Sequence, residues 1–482
     1  MSKHRIPVLI ILTFLLTLSA FSSWPQDSLP KHAPQVLPGV EPEMLTPEYW
    51  IDIQEDADKI VMTPLEIERF NEKVRNKQVT PVDYYGKPDP LMDLNDMITK
   101  LGLVMNPILP LELPDTEQGS ILRERLISNI DFLFSPMDLW GSKEFYDGRN
   151  AIYNDEMKQK LVDAMNIDAV PDVNTRRFGI IVNHANLRYY PTEVPGYHNT
   201  VSELDRFQGG ALLIGMPVAI LHQSVDGEFL FVETPVSRGW VLACDIAISD
   251  REAIKKLTDD ENFLMATGDK VPVYGDPQYT NFARNLFFSA AMPLIKYDNT
   301  GYVVKMPYRK PDGVLGVTNG YIKHDADVHI GYLPYTKRNV IIQMFKLLDT
   351  PYGWEDQNDK RDCCGTMWVL LRCFGITTGR FPQFILKASD HQVYIDPGLS
   401  TEKKIEEVSK IEPVITMAGS SGHIVLYLGK ARNGKLYFIH QAGWGYKDEN
   451  GEQLIVNRVS VNEATHSWYH INQAKVFTTF KL

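Results

Sequence analysis

Cysteine is scarce, with four in 482 residues, at positions 244, 363, 364 and 373. There is no Cys-x-x-Cys knuckle and no close histidine pair at ligand spacing, so a zinc site finds no support and no cofactor is implied. Positive charge is also short: 49 Lys and Arg stand against 61 Asp and Glu, for a net charge of −12. Nucleic-acid phosphates demand a basic face, and anionic lipid headgroups demand one too, so neither partner is expected. Long apolar runs are absent after the first 20 residues, and the one run present, Pro7 to Leu18, is shorter than the roughly 20 residues of a comfortable membrane span.

That run follows Lys3, His4 and Arg5 and precedes Ala20-Phe21-Ser22, the pattern of a secretory signal peptide over residues 1–22. No cysteine follows it, so a lipid anchor is not expected. The mature protein is expected in the periplasm or outside the cell, with no stable membrane insertion, and its oligomeric state is not readable. Export raises the question of disulfides. On one helix Cys364 and Cys373 would lie nine residues apart, about 13 Å, and Cys363 and Cys364 only about 3.8 Å apart; a disulfide prefers roughly 4.4–6.8 Å. Free thiols are expected.

Prolines at 25, 30, 34, 38, 42 and 47 make Trp24 to Trp50 an extended strap. Thr63-Pro64-Leu65-Glu66 is a capping box with proline at the first helical position, and Ile67, Phe70 and Val74 follow on one face. Further helical patterns cover Ile121 to Phe134 and Asp155 to Met165, so 24–170 reads as strap plus helices, without chemistry. From Arg177 the pattern turns to short strands. Two apolar runs flank Asp226-Gly227, and "AMPLIKYDNTGYVVKMP" from Ala291 repeats the idea around Asn299 to Gly301, which suggests small tandem β-barrels over 175–250 and 262–325.

After Lys323 the pattern changes again. Thr336 can cap a helix with Val340, Ile341, Met344, Phe345 and Leu348 on one stripe. A polar loop, "DTPYGWEDQNDKRDCCG", leads to the cysteines, and Met367, Leu370, Leu371 and Phe374 keep helical spacing beyond them. "GHIVLYLGKARNGKLYFIHQ" then reads as a hairpin about Asn433-Gly434. A cysteine at a helix start facing a strand histidine has what a thiol nucleophile needs: a positive dipole end and a base. Cys363, His423 and His440 fill the roles of nucleophile, base and orienting group. If Asn433-Gly434 were a two-residue turn, His440 would lie opposite Tyr427, about 13 Å from His423 along the strand. A bulge or wider loop within Lys430 to Lys435 is therefore expected.

At "TPYGW" (350–354), "DCCG" (362–365), "GHIVLYLG" (422–429) and "FIHQ" (438–441), in that order, residues 335–482 resemble the NlpC-type cysteine peptidases of bacterial cell walls. The two β segments resemble bacterial Src-homology-three barrels, the first through "ANLRYYPTE" and "DGEFLFVETPVSRGWV". The resemblance implies an α+β multidomain chain with a papain-like peptidase domain. It selects Cys363 rather than Cys364 as the nucleophile, and it places Tyr352, Asp362 and Cys364 along the substrate site. It implies hydrolysis of the amide between D-glutamate and a diamino acid in peptidoglycan stem peptides or muropeptides. It also implies a barrel that narrows the cleft to peptides with a free amino terminus, for which Arg188, Tyr190 and Glu193 are candidates. The chain departs from the family where Glu355 and Asp356 replace two glycines and Cys364 replaces a serine. Those departures motivate the rival readings, a wall-binding protein with a decayed catalytic domain or a related amidase or acyltransferase.

Overall fold

Capping chemistry starts the helices close to where the sequence puts them. In a computed structural model describing residues 32–76, 109–134, 144–200, 203–420, 422–443, 445–447, 453–466 and 471–482, the Thr63 backbone N–H donates to Glu66 Oε2 at 2.8 Å. The reciprocal bond, Glu66 N–H to Thr63 Oγ1, is 3.4 Å, and the helix Pro64–Asn76 buries Ile67, Phe70 and Val74 as the spacing predicts. Helices Gly119–Phe134 and Asp155–Ala164 follow. The expected leader and the first residues of the strap lie outside the described residues. Among those described, no helix is long and apolar enough to cross a membrane.

The strap differs from its expected form over its second half. Pro42 and Pro47 each open a short helix, Pro42–Leu45 and Pro47–Asp52, because proline is pre-set for the first helical position. The preceding stretch is extended and lies against the C-terminal unit: Ala33 N–H donates to Ile455 O at 2.8 Å and Tyr437 Oη to Gly39 O at 2.6 Å. Trp50 is fully buried, 5.5 Å from the Tyr437 ring, with its Nε1–H on Met44 O at 2.8 Å. The helical N-terminal region, read from sequence as one unit, is thus divided. Pro64–Asn76 packs on the C-terminal unit, Phe70 lying 6.0 Å from Phe480, whereas Leu122, Leu126 and Leu161 join an aromatic core with Tyr190, Phe207 and Trp240.

Two seven-stranded antiparallel sheets occupy 177–249 and 263–330. In the second, Asn299-Thr300 joins Asp298 to its partner Gly301 as a two-residue turn. A continuous apolar core runs from the strap through both sheets into the C-terminal unit.

That last unit carries helices α1 (Lys337–Phe345), α2 (Cys363–Arg372), α3 (Pro382–Lys387) and α4 (Thr401–Val408). Its strands are β1 (Gln392–Tyr394), β2 (Thr416–Ser420), β3 (His423–Lys430), β4 (Leu436–Ala442), β5 (Arg458–Glu463) and β6 (Val476–Thr479). They pair antiparallel in the order β1-β6-β2-β3-β4-β5. Thr336 caps α1 by accepting from Asn339 N–H at 3.2 Å. Every residue of α2 up to Leu371 is buried, the mark of a helix inside a core, and it packs on β3 and β4.

Because Trp50 seals the strap against β4, Trp50→Ala is expected to cost about 3–5 kcal/mol. Native-state hydrogen exchange at Leu436 to Ala442 is the measurement, and unchanged protection there would show that the strap is not part of that unit's core.

Candidate active site

Asp362 ends an extended segment and starts α2 as its N-cap: its Oδ1 accepts the Gly365 N–H at 2.6 Å. Cys363 is therefore the first helical residue, where unsatisfied N–H groups and the macrodipole favour negative charge. It is 5% exposed, and all four cysteines are free. α2 as a whole packs on β3 and β4, the strands that carry His423 and His440.

The hairpin brings those two histidines together by two separate one-residue shifts. Ala431 and Lys435 close a three-residue loop, Arg432-Asn433-Gly434, with Gly434 at φ +82°, so the loop is one residue wider than the tight turn. Between Tyr427 and Gly429 the register slips again, leaving Leu428 as a bulge on β3. Leu426 then faces Ile439. One step further along that register His440 lies beside Val425, two residues from His423 and on its face of the sheet. His423 Nε2 and His440 Nδ1 are 2.8 Å apart, with the rings at 81°. The expected irregularity is present, half of it inside Lys430 to Lys435 and half just outside. Burial, with His440 adding to it at His423, pushes the histidines' pKa values down: His423 well below 6.5 and His440 to about 3. Both imidazoles are neutral at ordinary pH.

The approach to Cys363 is built on a buried arginine. The Arg380 side chain has no exposed surface and pairs with three carboxylates: Glu355 at 2.5 Å, Asp356 at 3.0 Å and Asp362 at 3.0 Å. Asp356 Oδ1 also accepts the Asp362 N–H at 3.1 Å, tying the preceding loop to the helix start. A Cβ on Gly365 would meet Asp356 Oδ1 at 2.0 Å, so glycine is required for the carboxylate to lie on the first turn. One guanidinium cannot neutralise three carboxylates. Burial raises Glu355 to about 8 and Asp356 to about 6 against the pull of Arg380.

Both β-sheet units grip this same loop. From the first, Gln357 Nε2 reaches Glu203 O at 2.6 Å, Asp205 N–H reaches Gln357 Oε1 at 3.1 Å, and Arg206 lies 4.0 Å over the Trp354 ring. From the second, Lys270 pairs with Asp359 at 3.4 Å and Asp269 pairs with Arg361.

The fold has a solved counterpart. An NlpC/P60 endopeptidase from Photobacterium damselae subsp. piscicida is 18% identical, over 90% of this chain and 96% of its own, with a TM-score of 0.63. The chain has the NlpC/P60 endopeptidase fold. An NlpC/P60 family protein from Bacillus cereus aligns over 63% of this chain and 100% of its own at 15% identity, with a TM-score of 0.45. The model of the SH3 domain of the SH3b1 type matches residues 198–242, within the first sheet. No curated protein matches the chain.

Within the NlpC/P60 fold, the departures at Glu355 and Asp356 keep the backbone that glycine would adopt. Their φ values are +46° and +60°, in the left-handed region, at a cost of roughly 1–2 kcal/mol per residue. The ion pairs to Arg380 hold them there. Tyr352 is half-buried, and burial followed by the charges of Cys363 and Asp362 raises its pKa well above 10. Cys364 Sγ lies 3.6 Å from Cys363 Sγ. Tyr352, Asp362 and Cys364 thus gather around Cys363. Tyr190 and Glu193 do not form such a group. Tyr190 has no exposed surface and meets Phe207 edge-on at 4.9 Å, so it is a packing residue rather than a substrate contact. Glu193 is exposed, and the charges it influences are Cys244 and Asp245. Arg188 is buried in a pair with Asp205 and donates to Gln208 Oε1 at 3.0 Å. Arg206, Gln357 and Arg380 were missed. Two carboxylates in place of glycines call for a cation, which was the available signal.

Arg380→Leu strands three buried carboxylates and is expected to cost about 3–5 kcal/mol in thermal or denaturant unfolding. The pH sign follows from the raised carboxyls. Above 4.5 the unfolded chain releases a proton that folded Glu355 keeps up to about 8, so stability falls as pH rises through that window. Glu355→Gln should flatten the fall in melting temperature, and an unchanged slope would remove Glu355 as its source.

Proposed function

We propose that the protein is a cysteine peptidase that hydrolyses peptidoglycan stem peptides, cleaving the amide between D-glutamate and a diamino acid. The 2.8 Å contact between His423 and His440, on the two strands under the helix that begins with Cys363, carries the reading. With Nε2–H directed at His440 Nδ1, His423 keeps Nδ1 as a lone-pair base for the thiol proton. The thiolate attacks the scissile carbonyl and gives a thioester acyl-enzyme. His423 passes the proton to the leaving amine, then draws one from the water that releases the acid. Neutral resting imidazoles suit this sequence, since a base must be unprotonated to begin.

The retained left-handed backbone at Glu355 and Asp356 favours a working site over a decayed one. Restriction to peptides with a free amino terminus is assigned to the first β unit. Its contact with the cleft runs through Arg206 and Gln357 rather than through Tyr190. Export of the mature chain to the periplasm or beyond is part of the same proposal, because the substrate is there.

Mass spectrometry of muropeptides incubated with the mature chain is expected to show cleavage at the D-glutamyl–diamino-acid bond. Cys363→Ala should abolish it and His423→Ala should slow it roughly 10²–10⁴-fold. Cleavage that survives Cys363→Ala would end the proposal. In pH profiles, kcat/KM should hold to below 6.5, the ordinary histidine value, because burial depresses His423. An acid limb at or above 6.5 would remove that depression.

A further inference from the structure

The family serine after the nucleophile is Cys364 here, and the structure gives that thiol a particular placement. Cys363 Sγ and Cys364 Sγ are 3.6 Å apart, and with an Asp362 carboxylate oxygen they lie within 4.8 Å of one another. All three side chains are buried. A disulfide does not suit the pair, because neighbouring Cα atoms about 3.8 Å apart fall short of the usual roughly 4.4 Å minimum. A metal does suit it. Zinc–sulfur bonds of about 2.3 Å at tetrahedral angles set their two sulfurs about 3.8 Å apart. The two thiols therefore already stand near the separation a chelated ion imposes.

The surroundings also favour a cation. Asp362 contributes oxygen lone pairs beyond those used by Gly365 N–H and Arg380. Asp356 stands behind it, and Arg380 is a single compensating charge between the two.

We propose that Cys363 and Cys364 form a two-sulfur chelate for a soft divalent cation such as Zn2+, with Asp362 as third ligand. Resting on the reading of Cys363 as nucleophile, occupancy of this site inhibits the peptidase. The ion displaces one proton from each thiol to solvent, forms two metal–sulfur bonds and leaves no oxidation state changed. With its thiolate charge and a lone pair committed to the ion, Cys363 cannot attack a carbonyl. Removal of the ion by a chelator returns the thiol. Substitution of a thiol for a hydroxyl thus gives the enzyme a sensitivity that the serine form lacks, since a neutral hydroxyl is a poor ligand for a soft ion.

The test uses the mature, thiol-reduced chain and Cd2+ and Zn2+ as probes. The cadmium–thiolate absorption band reports binding without reference to catalysis. The wild type is expected to show the band at one ion per chain and to lose activity in parallel with Zn2+ binding, with recovery on adding EDTA. Cys364→Ser should lose the band and bind at least the roughly 10–100-fold more weakly that loss of even an outer-shell partner brings. Inhibition is compared with each variant's own metal-free rate. Circular dichroism checks folding, and Cys364→Ala serves if the serine variant is unfolded. Absence of the band in the wild type, or its persistence in folded Cys364→Ser or Cys364→Ala, overturns the proposal. A chain that shows the band yet cleaves no muropeptide supports the chelate and refutes the peptidase reading instead.

Discussion

A guanidinium buried among three carboxylates holds the start of α2 in place. Arg380 touches Glu355, Asp356 and Asp362 at once, and Asp362 caps the helix that begins with Cys363. Without that cation the loop before the helix would carry charges it cannot desolvate and a left-handed backbone it cannot maintain. The same loop is where the two β units make contact, through Gln357 and Arg206 on one side and Asp359 and Arg361 on the other. Position of the nucleophile, strain in the loop and attachment of the flanking units are therefore one physical problem with one residue at its centre.

The chemistry depends on a different constraint, the register of a hairpin. A helix start supplies a field and the strands supply a base, but the base is useful only when its partner lies within hydrogen-bond reach. Burial then keeps both imidazoles neutral, which suits a site that must accept a proton before it returns one.

Much of this was legible in the sequence. Capping signals at Thr63 and Thr336 start their helices as written, and the glycine and asparagine turns place the hairpins, because such signals act within four residues. The placement of Cys363 at a helix start and of His423 and His440 on paired strands is readable for the same reason: each sits in a local motif with its own secondary structure. The role of Tyr190 was misread because an aromatic in a turn-rich loop says nothing about which way it faces, and here it faces a core shared with helices far away in sequence. Two carboxylates in place of glycines signal a cation but not which one, because Arg380 lies 18 to 25 residues from its partners and no local pattern reports a buried ion pair at that distance. The seam between the β units and the loop was likewise a matter of tertiary contact.

The Leu428 bulge and the three-residue loop impose a rule of parity on the length of the hairpin. The loop alone would turn His440 to the face opposite His423, and the bulge turns it back. Gain or loss of one residue between the two histidines therefore costs far more than its size suggests, since it swaps inside for outside. Two compensating changes are tolerable where one is not. The spacing of seventeen residues between these histidines thus works as a unit, and loop and bulge can change only together.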